Sequence, residues 1–102
     1  MVSNRRQYRS RIRIVADILG IARQGSRKTR IMYQGNLSFD LLQKYLDMLV
    51  KHDLLETSGD SKKSYVATEK GRRFLEDYHE LQKHSEIAES KKRTLERFLS
   101  PV

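Results

Sequence analysis

Residues 26–56, SRKTRIMYQGNLSFDLLQKYLDMLVKHDLLE, hold two helical patterns separated by a turn. Ser26 is placed to cap a short helix over about 27–34, because its hydroxyl can accept from the free amides of a first helical turn. Gly35 then supplies a left-handed turn at no steric cost. Ser38 is placed to cap a second helix over about 39–52. There Phe39, Leu42, Leu46, Leu49 and Val50 recur at helical spacing as the buried stripe, flanked by Leu41, Tyr45 and Met48. A short helix, a glycine turn and a longer helix form the helix-turn-helix pattern, which many helical hairpins also share.

Working outward sharpens that reading. Upstream, Tyr8, Ile12, Val15, Ile18, Leu19 and Ala22 predict an amphipathic helix over 8–24, with Gly25 ending it. Downstream, Leu54–Thr57 and Lys63–Ala67 read as two strands around the turn cluster Ser58-Gly59-Asp60-Ser61. A hairpin directly after a helix-turn-helix is a wing. Thr68 caps a last helix running from 69 to about 99, roughly 45 Å at 1.5 Å per residue. Gly71, Phe74, Tyr78, Leu81, Ser85, Ala88, Lys92, Leu95 and Leu99 follow alternating spacings of three and four along it, a heptad register. The expected fold is therefore mainly α with a small β-hairpin (α+β): a winged helix-turn-helix over 1–68, then a dimerising helix over 69–102. The interface of the homodimer is expected from Phe74, Tyr78, Leu81, Ala88, Leu95, Phe98 and Leu99, as a two-helix coiled coil of either orientation. A lone charged helix frayed beyond residue 82 is the alternative.

Composition bounds the function. The 102 residues are one domain's worth and contain no cysteine, which rules out disulfides and thiolate chemistry. No apolar run approaches the roughly 20 residues of a membrane span. The arginine-rich start lacks a signal-peptide core, so a soluble cytoplasmic protein without membrane partners is expected. The net charge of +8 is unevenly placed. Residues 1–30 carry nine Arg/Lys against Asp17 alone, while the twelve basic and twelve acidic residues of 31–102 cancel. A localised basic surface is the footprint of a polyanion binder. Enzymatic chemistry has no support. His79 and His84 stand five apart on one helix and diverge, His52 lies elsewhere, and no glycine-rich phosphate loop follows a strand. No catalytic residue, metal, cofactor or small-molecule substrate is expected.

The run KTRIMYQGNLSFDLLQKYLDMLVKHDLLE at 28–56, followed by a hairpin and then YVATEKGRRFL at 65–75, resembles archaeal winged-helix proteins. It looks most like the ten-kilodalton DNA-binding chromatin proteins of Sulfolobus-type archaea, from about Arg11 through the last helix. The resemblance implies a winged helix, antiparallel pairing of two C-terminal helices, and binding of duplex DNA with weak or no sequence preference. Two positions depart from the pattern: Gly35 where Ala is common, and Asp53 where Gly is common. Asp53 must end its helix without glycine's freedom, which Asp tolerates better than most residues.

On such a scaffold the 39–52 helix enters the major groove. Its polar arc is Asp40, Gln43, Lys44, Asp47 and Lys51, of which Gln43 and Lys44 are best placed to meet bases or phosphates. The two aspartates repel phosphate, so the affinity is expected from Arg27, Lys28, Thr29 and Arg30 at a helix start. Tyr33, Gln34 and Ser38 add hydrogen bonds, and Lys62 and Lys63 act from the wing. Tyr33 reads equally as a core residue. Arg5, Arg6 and Arg9 form a candidate N-terminal arm. The expected function is a nucleoid-associated architectural protein on double-stranded DNA. A sequence-specific transcriptional regulator on the same fold is the alternative, and a protein-interaction module a lesser one.

Overall fold

The structure, a computed structural model, describes residues 9–59 and 64–100. Its elements are α1 (Arg11–Ile21), β1 (Ser26–Arg27), α2 (Lys28–Gly35), α3 (Phe39–Lys51), β2 (Leu55–Ser58), β3 (Ser64–Ala67) and α4 (Glu69–Phe98). The strands form one antiparallel sheet in the order β1-β3-β2. The mainly α winged helix with a long last helix is thus the observed architecture.

Three of the four described helices start at a side-chain cap. Ser10 Oγ accepts from the Arg13 amide at 3.1 Å, Ser38 Oγ from the Leu41 amide at 3.2 Å, and Thr68 Oγ1 from the Gly71 amide at 3.0 Å. Each bond satisfies one amide that the helix itself leaves free. Ser26 does not play this part. It is buried in β1, paired with Tyr65, and Arg27 stands at the N-cap of α2 without a side-chain cap bond. The strand Ser26–Arg27 was not anticipated, since two residues carry no readable period.

Three further expectations shift. α1 ends at Ile21 rather than 24, because the Ala22 carbonyl accepts from the Ala67 amide at 3.0 Å and draws the chain onto the sheet. Gly25, at φ +104°, then turns it into β1. The left-handed residue between α2 and α3 is Asn36 at φ +54°, not Gly35. Gly35 is helical and buried, where an added Cβ would meet Leu37 Cδ1 at 3.3 Å. Asn takes this conformation more readily than other side chains. In α3 the buried stripe is Leu42, Tyr45, Leu46 and Leu49, whereas Phe39 is 57% and Val50 39% exposed. The stripe is rotated because α3 faces α1 and the sheet at once, so Tyr45 moves inside and Phe39 out. Asp53, at φ +63°, ends α3 as expected, with the Leu54 amide donating to the Leu49 carbonyl at 2.8 Å.

The core joins Ile14, Val15, Ile18 and Leu19 of α1 to Ile31, Leu42, Leu46, Leu49, Leu55, Tyr65 and Leu75. Only the start of α4 belongs to it. Gly71 and Leu75 are buried and Phe74 and Tyr78 pack at its edge, but every residue from His79 to Ser100 is exposed. Gly71, expected on the dimer seam, lies instead against the Leu54 carbonyl and Leu19.

Candidate nucleic-acid interface

α3 presents an exposed arc made of Asp40, Lys44, Asp47 and Lys51, with Phe39 and the half-buried Gln43 along one edge and Met48 along the other.

Cations stand at both edges of this arc. On one side Lys28, the first residue of α2, donates to Gln43 Oε1 and sits over the Phe39 ring, 4.3 Å from its centre. Gln43 Nε2 donates onward to Asp47 Oδ1 at 2.9 Å. On the other side the Arg11 guanidinium, from the start of α1, lies 3.4 Å from Met48 Sδ. Arg11 was not among the anticipated contacts. The separation in sequence hides it: 37 residues part it from Met48, and only the packing of α1 on the helix pair brings them together.

The other anticipated residues divide. Arg27 pairs with Ser64 across the sheet, so β1 fastens the start of α2 to the base of the wing. Thr29 and Tyr33 lie on the outer face of α2, and Tyr33 is 75% exposed, which removes it from the core. Arg30 and Gln34 fall on the flank of α2 away from Lys28. They line a groove of about 430 Å3 with Asp17 and Ile21 of α1 and Leu75, Tyr78 and His79 of α4. Ser38 caps α3. Lys44 is exposed on the arc. Arg9 lies against the domain, donating to Asp17 at 2.8 Å and to the Asn36 carbonyl at 3.0 Å. Arg5, Arg6, Lys62 and Lys63 lie outside the described residues. Of the anticipated interface side chains on α4, Phe74 and Tyr78 pack on their own domain, while Leu81, Ala88, Leu95, Phe98 and Leu99 are exposed.

Under the arc, Tyr65 of β3 is buried. Burial first, and the Asp47 carboxylate second, push its hydroxyl above the usual tyrosine range. Both act by disfavouring the phenolate. Among the described residues no group of acidic and histidine side chains is arranged to hold a metal ion, and no helix is long and apolar enough to cross a membrane.

A short helix, a turn, a longer helix with an open polar arc, and a hairpin braced against both define a winged helix. The family model described as winged helix-turn-helix matches residues 8–86, and the chain belongs to that family. An uncharacterized protein of Methanocaldococcus jannaschii is 35% identical over 79 residues, which make up 76% of this chain and 78% of that one. Sso10a-2, a DNA-binding protein from Sulfolobus solfataricus, superposes with a TM-score of 0.81 at 30% identity, over 92% of this chain and 100% of that one. A winged-helix DNA-binding protein from STIV superposes with a TM-score of 0.62 at 25% identity, over 74% and 92%. The resemblance to Sulfolobus-type archaeal proteins holds at the level of the whole fold.

Proposed function

We propose that this chain is an architectural protein that binds double-stranded DNA with low sequence specificity, as a homodimer, and has no enzymatic role. The observation that carries this reading is the placement of Lys28 and Arg11 at the two edges of the exposed arc of α3. A helix laid in the major groove has a phosphate strand on each side, so cations at both of its edges meet both strands. Arg27, fixed beside the wing, and the free amides at the start of α2 extend the same positive border. The match to a DNA-binding protein over nearly the whole chain supports the reading. Low specificity follows from the arc itself. Asp40 and Asp47 oppose phosphate, and both ends of the Gln43 amide are engaged within the protein. A sequence-specific regulator would need more base readers on this arc than the exposed Lys44.

Cations that neutralise phosphates release condensed counterions, so affinity must fall steeply with salt. With about six phosphates contacted per unit, log K against log salt is expected to fall with a slope of about −5. Gel-shift titration of two unrelated duplexes at two salt concentrations tests this directly. Similar affinities with a steep slope support an architectural role. A large preference for one duplex favours the regulator, and a flat slope defeats the electrostatic reading.

The dimer rests on the apolar side chains that α4 carries beyond the core: Leu81, Ile87, Leu95, Phe98 and Leu99 are 56–84% exposed. Leu81, Leu95 and Leu99 stand on the heptad register together with Ala88, with Ile87 and Phe98 flanking it, and on an isolated helix such a stripe is stabilised by pairing with a second copy. Leu95→Asp combined with Leu99→Asp is therefore expected to convert the protein to a monomer in sedimentation equilibrium, with an unchanged melting transition for residues 9–78. A dimer that survives both substitutions would place the interface elsewhere.

A further inference from the structure

The reading helix carries one large apolar side chain at its open start. Phe39 is the first residue of α3 and 57% of it is exposed, although helical spacing predicted it inside. A phenylalanine left in water forfeits burial energy, so its neighbourhood shows what it is placed to meet. The Lys28 ammonium stands 4.3 Å from the ring centre and also donates to Gln43 Oε1. That contact fixes the ring beside the polar arc and covers one of its faces. Gln43, the residue otherwise suited to read adenine, has its Oε1 held by Lys28 and its Nε2 held by Asp47 at 2.9 Å. A bidentate contact to adenine would require both bonds to break. At the start of α3 the Gln43 amide is thus occupied, and beside the exposed Asp40 and Lys44 the ring of Phe39 is the apolar side chain left facing outward.

Resting on the proposed binding of duplex DNA, we infer that Phe39 is a specificity-determining residue that packs on the C5-methyl group of thymine in the major groove. The methyl is the one apolar group that the base edges present there, and the four base pairs differ in whether and where they carry it. Residues at the start of a recognition helix are those that reach base edges. The cations Lys28 and Arg11 at the edges of the arc complement the phosphates on either side of such a base, which favours a duplex over an apolar protein surface as the occupant. Methyl readout tolerates many sequences, since any suitably placed thymine satisfies it. It therefore grades affinity by thymine content without imposing a consensus.

Burying one methyl on the ring is worth about fourfold in affinity. Fluorescence anisotropy with the full chain, at one fixed salt concentration, uses two pairs of duplexes. In one pair every thymine is replaced by uracil, and in the other every cytosine by 5-methylcytosine. The wild type is expected to lose about fourfold or more on uracil and to gain about fourfold on 5-methylcytosine. Phe39→Ala, a change at an exposed position, is expected to bind the members of each pair equally, and Phe39→Leu to retain part of the discrimination. Equal wild-type binding within both pairs overturns the inference and leaves duplex binding standing. Discrimination that persists in Phe39→Ala also overturns it. Failure of the wild type to bind any duplex overturns the proposed function together with it.

Discussion

Replacing Gly71 by alanine is expected to lower the melting temperature by roughly 15 °C, from an overpacking cost of about 3 kcal/mol. A Cβ at this position would stand 2.3 Å from the Leu54 carbonyl oxygen, 3.3 Å from its carbon and 3.2 Å from Leu19 Cδ2. The carbonyl cannot retreat. Its oxygen accepts from the Thr68 amide at 3.1 Å, and the Leu54 amide is bound to Leu49 at 2.8 Å. The first turn of α4 would have to lift off the domain, loosening Leu75 and the sheet it follows. The sign makes the result diagnostic, because alanine in a helix is otherwise favoured over glycine by up to about 1 kcal/mol. Gly20 provides the matched control. It lies in α1 with open space around its Cα, and Gly20→Ala is expected to raise stability by about 0.5–1 kcal/mol. Thermal melts of the two variants should move in opposite directions. A Gly71→Ala protein as stable as the wild type would mean that α4 does not sit on Leu54 in this way.

The second large effect concerns affinity. Arg11→Ala combined with Lys28→Ala is expected to weaken duplex binding about a hundredfold near 50 mM salt and to flatten the salt slope by about 2. Each side chain removed is one phosphate neutralised less, and the lost counterion release compounds multiplicatively at low salt. The two residues come from different helices and touch opposite edges of α3, so their contributions should add. Arg11 is exposed and Lys28 only partly buried, so the fold is expected to survive, as far-ultraviolet circular dichroism would check. Arg13→Ala combined with Arg23→Ala makes the comparison informative. Those two arginines are also exposed cations of α1 and the turn after it, but neither is in contact with α3 among the described bonds. If both double variants lose affinity equally, the attraction is a property of net charge and not of the arc.

The uneven legibility of this chain has a physical cause. Ser38 and Thr68 were readable as caps because the capping bond spans three residues and depends on little else. The 69–98 helix was readable because nothing in its sequence interrupts it. Ser26 misled for the same reason that the other two did not: a serine before a helix is a cap unless a strand claims it, and the claim came from Tyr65, 39 residues away. Phe39 and Tyr45 exchanged their expected places because helical spacing gives the width of an apolar stripe but not the direction of its neighbours. Around the exposed arc of α3, the arrangement of the side chains was not legible in the sequence. Arg30 and Gln34 turned toward α4, Arg9 was bound to Asp17, and Arg11 arrived beside Met48 unannounced.

From the sequence alone came the helices, the hairpin, the winged-helix class and the concentration of positive charge before residue 31, since each depends on neighbours within a few residues or on plain counting. Only the tertiary structure decided which cations border α3, which amide is already occupied, and which aromatic ring is left facing outward. Those outcomes are set by contacts between segments distant along the chain, and local periodicity carries no information about how one helix is rotated against another.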